Sequence, residues 1–352
     1  MGTDGRLTAA GERRRPLTGT AAAPAPPFGA GGRGGGAVGC DVVGRCRRCV
    51  LPFGAAGRCC WSVLLVCVAV GVLSPTGSRD GLPGGAPRVR GGRSTDKGRG
   101  NVTAADLPAS TTEPDGAAVV RVLSYNVRSL RDDTAALARV VRACAPDLVL
   151  VQEAPRFFRW RKAAARLAEA TGLYYVTGGA PAAGPLILAS LRVKVERAED
   201  VLLPSTPGLH RRGFATAVVR VGGARLSVLS THLSLQAEER ARHAQALVRQ
   251  AAALGAEHTV LGGDLNEPPG GPVFGRLAEG FQDCWATAPW GGEATSPARA
   301  PRQRIDAVFA SHGVEVLGCG VPQGLPGVSR ADLAAATDHL PVLAALRVPT
   351  LG

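Results

Sequence analysis

The sequence predicts one mixed α/β domain over residues 117–352, and three observations predict it. Short apolar runs with strand-like alternation recur from Val119 onward and outnumber the helical stretches. The helical stretches fall between some of those runs, as layers of sheet and helix require. A segment of about 235 residues is also long enough to bury one sizeable core.

The elements follow in order. Residues 119–126 alternate as a strand and end in Asn126. Residues 134–144 have a helical period, and 147–153 read as a buried strand closing in Gln152-Glu153. Residues 157–171 read as an Arg/Ala-rich helix stopped by Gly172. Three strand-like runs occupy 186–191, 215–221 and 225–231, the last leading into His232. Residues 236–254 form a long Ala-rich helix, and 258–263 a strand that runs into Asp264. Runs at 304–310, 314–317 and 340–348 complete a strand-rich second half.

The first hundred residues differ. They hold 23 of the 47 glycines, and 15 Lys+Arg against 5 Asp+Glu, whereas the remaining 252 hold 26 against 23. The formal charge of +13 is therefore mostly a property of the leader, and does not itself describe a basic domain built to grip nucleic acid. Collagen, coiled coil and polytopic membrane protein are excluded by the absence of their periods and spans. Residues 1–60 read as a disordered Gly/Arg/Pro-rich leader. Residues 61–73 are an uncharged apolar run preceded by Arg45, Arg47, Arg48 and Arg58. That is a signal peptide's pattern, or an uncleaved anchor's with the rest of the chain outside. Residues 74–116 read as a linker. The expected location is extracellular or membrane-anchored, and no protein partner is predicted. The leader itself offers another function, binding nucleic acid or anionic lipid.

Six of nine cysteines precede residue 70, and Cys144, Cys284 and Cys319 are too widely spaced to form a disulfide framework. Cys46-Arg-Arg-Cys49 lacks nearby ligands in a zinc pattern, so these thiols read as incidental.

The polar residues fall at the ends of the apolar runs. Asn126, Glu153, His232, Asp264 and Asn266 follow runs; Asp306, Asp338 and His339 open them. Carboxylates, amides and imidazoles without thiolates suit a hard divalent cation, Mg²⁺ or Mn²⁺. The six blocks Ser124-Tyr-Asn126, Gln152-Glu153, Thr231-His-Leu233, Gly263-Asp-Leu-Asn266, Arg304-Ile-Asp306 and Thr337-Asp-His339, in that order, make residues 119–348 resemble the endonuclease/exonuclease/phosphatase superfamily. It includes deoxyribonucleases, AP endonucleases, sphingomyelinases and inositol polyphosphate 5-phosphatases.

The resemblance implies a four-layer sandwich, two facing β-sheets with helices outside, and metal-dependent hydrolysis of a phosphate ester. It makes Glu153 the main Mg²⁺ ligand, with Asn126 beside it and Asp338 facing the metal side. Asp264 and Asn266 would orient phosphate and water, Asp306 would hold His339, and His232 would bind an oxygen or assist the leaving group. His339, paired with Asp306, is the favoured general base and Asp264 the alternative. Two departures matter. Where relatives often carry Gly-Asn-Ala-Ile-Leu-Ser, this chain reads Gly184-Pro-Leu-Ile-Leu-Ala189, so that Asn role is not carried over. Arg211 and Arg212 stand where relatives often place one arginine, and either could touch the substrate.

An exported phosphodiesterase or endonuclease acting on nucleic acid is the expected activity; a phospholipid or inositol phosphate is the alternative substrate. A non-catalytic surface binding module is the competing class, and the filled metal and acid/base positions count against it. The stretch Phe157-Phe-Arg-Trp-Arg-Lys162 is expected to pack as a helix under snorkelling arginines rather than contact nucleic acid or membrane.

Overall fold

The computed structural model describes residues 107–350; the leader, the apolar run 61–73 and residues 74–106 of the expected linker lie outside them. Among the described residues no helix is long and apolar enough to cross a membrane. In chain order the elements are β1 (Thr111–Thr112), β2 (Ala118–Asn126), α1 (Thr134–Cys144), β3 (Leu148–Gln152), α2 (Trp160–Thr171), β4 (Tyr174–Gly178), β5 (Leu186–Ala189), β6 (Val193–Leu202), β7 (Gly213–Val221) and β8 (Ala224–His232). There follow α3 (Ala237–Leu254), β9 (His258–Asp264), α4 (Pro272–Ala278), β10 (Gln282–Asp283), α5 (Cys284–Thr287), β11 (Asp306–Ala310), β12 (Glu315–Gly320), α6 (Arg330–Ala336) and β13 (Val342–Val348).

The strands form two mixed sheets. One runs β12-β13-β2-β3-β5-β4, with β1 on β2; the other runs β10-β11-β9-β8-β7-β6. Each has one parallel pair at its centre, β2 with β3 and β8 with β9. Both faces of the central strands are buried, so their residues read as near-continuous apolar runs. Alternate side chains of β2 serve different layers. Val120 and Val122 join Leu150, Val228, Val260 and Val308 in the core between the sheets. Leu123 and Tyr125 face the other way, under Leu137 and Val141 of α1, Leu167 of α2 and Leu333 of α6. On the far side Leu247, Ala251 and Leu254 of α3 and Leu277 of α4 cover Leu229, Leu261 and Phe309. Helix, sheet, sheet and helix are thus the four layers expected.

Local chemistry sets the ends. The Asp133 side chain accepts hydrogen bonds from the amides of Ala135 and Ala136 and starts α1. Gly172 caps α2 at φ 73°, as expected, but that helix begins at Trp160 rather than at 157. The folded chain also begins before 117: Leu107 is buried, and Thr111–Thr112 pairs with Val119 and Ala118. β6, at the edge of its sheet, is the main strand that the pattern misses. Lys194, Glu196, Arg197, Glu199 and Asp200 interrupt its alternation, and such charges protect an edge from further pairing.

The registers explain why the polar blocks converge. Asn126 lies opposite Gln152, His232 opposite Asp264, and Asp264 opposite Asp306. The C-terminal ends of β2, β3, β8 and β9 and the start of β11 therefore share one rim. β13, antiparallel to β2, opens at Val342 opposite Ser124 and brings the preceding His339 to that rim. In β9, a Cβ on Gly262 would lie 2.9 Å from Leu150 Cδ1 of the facing sheet, and one on Gly263 would lie 2.0 Å from Thr231 O.

Candidate active site

The rim holds a cleft of about 340 Å³ whose lining includes Glu153, Asp264, Asn266, His232 and His339 together with Arg131, Arg156, His210 and Arg212. Asp264 is the hub. Its Oδ2 accepts from Asn126 Nδ2 at 3.1 Å and lies 3.4 Å from His232 Nε2 and 3.9 Å from His339 Nε2. Its Oδ1 accepts from the Asn266 amide at 2.9 Å. Asn126 Nδ2 also reaches Glu153 Oε1 at 3.3 Å, at the end of the neighbouring strand, so this one amide joins both strand ends of its sheet to Asp264 of the other.

Glu153 has φ 51° and Asn266 φ 51°, both in the left-handed region. Such backbone costs about 1 kcal/mol or more for a residue other than glycine, and persists where surrounding bonds over-determine it. Here Glu153 O accepts from the Ser129 amide at 2.8 Å, and Asn266 Nδ2 donates to Leu233 O at 3.0 Å.

His339 Nδ1 donates to Asp306 Oδ2 at 2.8 Å. Burial lowers the imidazole's proton affinity, but Asp306, with Asp264 and Asp338, outweighs it and pushes His339 up to about 10. Burial, then the neighbouring Asp306, pushes the Asp264 carboxyl up to about 7. His232 goes the other way: burial and the positive charge of Arg212 hold it well below its ordinary value. The rim thus carries an imidazolium, a neutral imidazole and a carboxyl poised near neutrality.

The donor set fits a hard divalent cation. Glu153, Asp264 and Asp306 have no arginine or lysine within ion-pair distance among the described residues, and the buried Asp306 Oδ1 has no hydrogen-bond partner. One ligand atom each of Asp264, Asp306 and His339 lies within 4.8 Å of the other two, and of these the carboxylates, not the charged His339 ring, are the groups able to face a cation. Every carboxylate and amide donor is oxygen, and the described cysteines Cys144, Cys284 and Cys319 are buried thiols.

Two expected positions behave differently. Asp338 is half-exposed, pairs with Arg128 Nε at 3.2 Å and is not among the residues that line the cleft. Arg212 lines the cleft, with no ion pair of its own among the described residues, whereas Arg211 is exposed and lines a neighbouring groove. Pro185 is buried just before β5, where a missing N–H costs the sheet nothing, and its carbonyl accepts from Gly179 at 2.7 Å.

The sequence reading missed Arg131, Arg156 and His210, which share the cleft wall, and Thr295. His210 directly precedes the arginine pair, and Arg156 follows Glu153 by three residues; both signals were there to be read. Thr295 is less visible. Its buried Oγ1 accepts from the amides of Ile305 and Asp306 at 3.2 Å each, and its carbonyl accepts from the Leu340 amide at 2.7 Å. It thereby fastens both halves of the Asp306–His339 pair. Arg304 is structural: it lies between the rings of Phe274 and Trp285 at 5.2 and 5.0 Å and pairs with Asp283 at 2.8 Å.

The sequence pattern of the endonuclease/exonuclease/phosphatase family matches residues 123–339, from β2 to the imidazole at the rim. The chain belongs to that family. Its members are hydrolases acting on phosphate esters. Among solved structures, an endonuclease/exonuclease/phosphatase from Bacteroides vulgatus is similar with a TM-score of 0.54 at 19% identity, over 65% of this chain and 99% of that one. The mannosyl-6-phosphatase of Bacteroides thetaiotaomicron gives 0.54 at 18% identity, over 64% and 99%. A conserved Enterococcus faecalis protein of unknown function gives 0.54 at 18%, over 65% and 99%. These likenesses establish the fold. Comparison with curated proteins finds no match.

Proposed function

We propose that the chain is a divalent-metal-dependent phosphodiesterase. The observation that carries this is the surrounding of Asp264: an amide from Asn126, a neutral imidazole from His232 and an imidazolium from His339, itself held by Asp306. Glu153, with Asn126 beside it, would hold a Mg²⁺ or Mn²⁺ ion, which supplies charge compensation for the phosphoryl oxygens.

The residues divide the remaining work. The Asp264 carboxyl, pushed up to about 7, is matched to accept a proton from the attacking water near neutral pH. His339, pushed up to about 10, is charged at that pH and serves as donor to a phosphoryl oxygen rather than as base. We therefore favour Asp264, the alternative base of the sequence reading, over His339. Arg212 offers a further donor to the phosphoryl group, and Asn266 holds the Asp264 carboxylate in place through its amide. His232, neutral, buried and 3.4 Å from Asp264 Oδ2, can relay to the leaving oxygen the proton that Asp264 takes from the water.

Purified full-length protein should hydrolyse a chromogenic phosphodiester with Mg²⁺, lose that activity in EDTA, and lose it in Glu153→Gln. Plasmid DNA, sphingomyelin and inositol phosphates in the same assay would rank the substrate classes. No metal-dependent turnover on any of them, by folded protein, would overturn the reading. Export, through the basic stretch and apolar run at 61–73, is proposed from sequence alone. Protease accessibility of the domain on intact cells tests it.

A further inference from the structure

Beside the catalytic cleft, and sharing Arg156, Phe157 and His210 with it, lies a second groove of about 380 Å³. Its other main lining residues are Leu202, Leu209 and Arg211. Phe157 is 78% exposed, contrary to the helix packing expected from sequence. Its ring is not loose. Arg156 stacks over it at 5.3 Å, and that guanidinium is itself fixed by the carbonyls of Ala183 at 3.1 Å and Arg211 at 3.3 Å. The chain therefore holds an apolar ring in water, at the mouth of a phosphate-ester site, by two hydrogen bonds placed behind it. Phe157 and the partly exposed Leu202 line the same groove, and apolar surface gathered in one place, unlike a single exposed residue, marks an interaction site.

The lining decides what would cover it. No carboxylate or side-chain amide faces the groove. A polyol such as a sugar or inositol would find donors but few acceptors for its hydroxyls. A cationic choline head group would meet Arg156, Arg211 and His210 with no anion to receive it. A flat, weakly polar ring followed by a second phosphate meets all three features: an aromatic face, apolar walls and positive charge. We propose that this groove is a base-stacking subsite for an unpaired nucleic-acid strand. The base next to the scissile phosphate lies on Phe157 and the following phosphate on Arg211. A base in a duplex is stacked on its neighbours and cannot reach the ring without leaving the helix. The substrate is therefore a single strand, a frayed end or a loop. This inference rests on the phosphodiesterase reading of the adjoining cleft.

The test uses the full chain in EDTA, which prevents turnover. Anisotropy measures its affinity for a labelled single-stranded oligonucleotide and for an abasic strand of the same length. Both strands carry the same phosphates, so the basic leader contributes equally and cancels from the ratio. Wild type should prefer the base-bearing strand by roughly 5- to 150-fold. Phe157→Ala, at an exposed position, should lose that preference while binding the abasic strand as wild type does; Phe157→Trp should keep it. Equal binding of the two strands by wild type, a preference unchanged in Phe157→Ala, or binding to anionic vesicles that Phe157→Ala weakens while the strand preference stays would each overturn the proposal. Failure here leaves the phosphodiesterase reading intact, because Mg²⁺-dependent turnover of a chromogenic diester, abolished in Glu153→Gln, is measured separately.

Discussion

His339 reaches Asp306 Oδ2 at 2.8 Å with Nδ1 and faces Asp264 Oδ2 at 3.9 Å with Nε2, so a single ring lies between two buried carboxylates. Asp306 fixes which nitrogen faces inward and keeps the ring charged. Asp264 is then the group with a proton to gain near neutral pH. The division of labour at the rim follows from that arrangement.

Metal-free protein should lose stability as pH rises. The His339 value is raised in the folded state, from 6.5 to about 10. Its contribution is therefore complete below about 6.5 and lost as pH climbs through about 10. Asp264, raised from 3.8 to about 7, has the same sign over a lower window. Melting in EDTA should show a Tm that falls between pH 6 and pH 10 in wild type, by a smaller amount in His339→Gln. A flat profile in wild type would contradict this.

Asp306→Asn should lower kcat by roughly 10²-fold or more, the usual scale of a lost transition-state donor, with a small change in KM. Removal of the carboxylate also lets His339 deprotonate at lower pH. The alkaline limb of the pH–rate profile should move toward neutrality, which a merely structural loss would not produce.

Thr295→Val should leave the amides of Ile305 and Asp306 without their acceptor, at about 1–3 kcal/mol for each buried group not re-satisfied. Thr295→Ser restores the oxygen and should recover stability, kcat and the pH profile together. Recovery of stability alone would show that Thr295 does not position the catalytic pair.

Asp338→Asn should be mild. Its carboxylate is 43% exposed and paired with an arginine at the surface, a contact worth about 0–1 kcal/mol. Mg²⁺-dependent turnover should survive. Its loss would return Asp338 to the metal side, where the sequence pattern puts it.

Much of this architecture is legible in the chain because buried strands advertise themselves. β2, β3, β8 and β9 are buried on both faces and largely apolar, and the polar residue that ends each run is visible by contrast. β6 is illegible for the opposite reason, since an edge strand that faces water looks like a loop. The convergence of Asn126, Glu153, Asp264 and His339 could be read from block order, but not the partner choice of Asp338, whose neighbour Arg128 lies more than two hundred residues away in sequence. Phe157 was misread because a helix period near its start is ambiguous. Only the left-handed Arg159 before Trp160 shows that the preceding aromatics stay outside the helix.

The closeness of Gly262 to Leu150 has a consequence for how such an enzyme can change. Asn126 and Glu153 hang from one sheet, Asp264 and His232 from the other, so the gap between sheets is also the span across which a phosphate is gripped. A methyl group added at Gly262, two residues before Asp264 in β9, would press on Leu150 Cδ1 at 2.9 Å and on the Ala307 carbonyl at 3.2 Å, and so act as a shim on that span without touching any side chain of the rim. Substrate size is thus adjustable from within the apolar interior, and a lineage could retune its catalytic jaw by exchanging residues that no inspection of the jaw itself would single out.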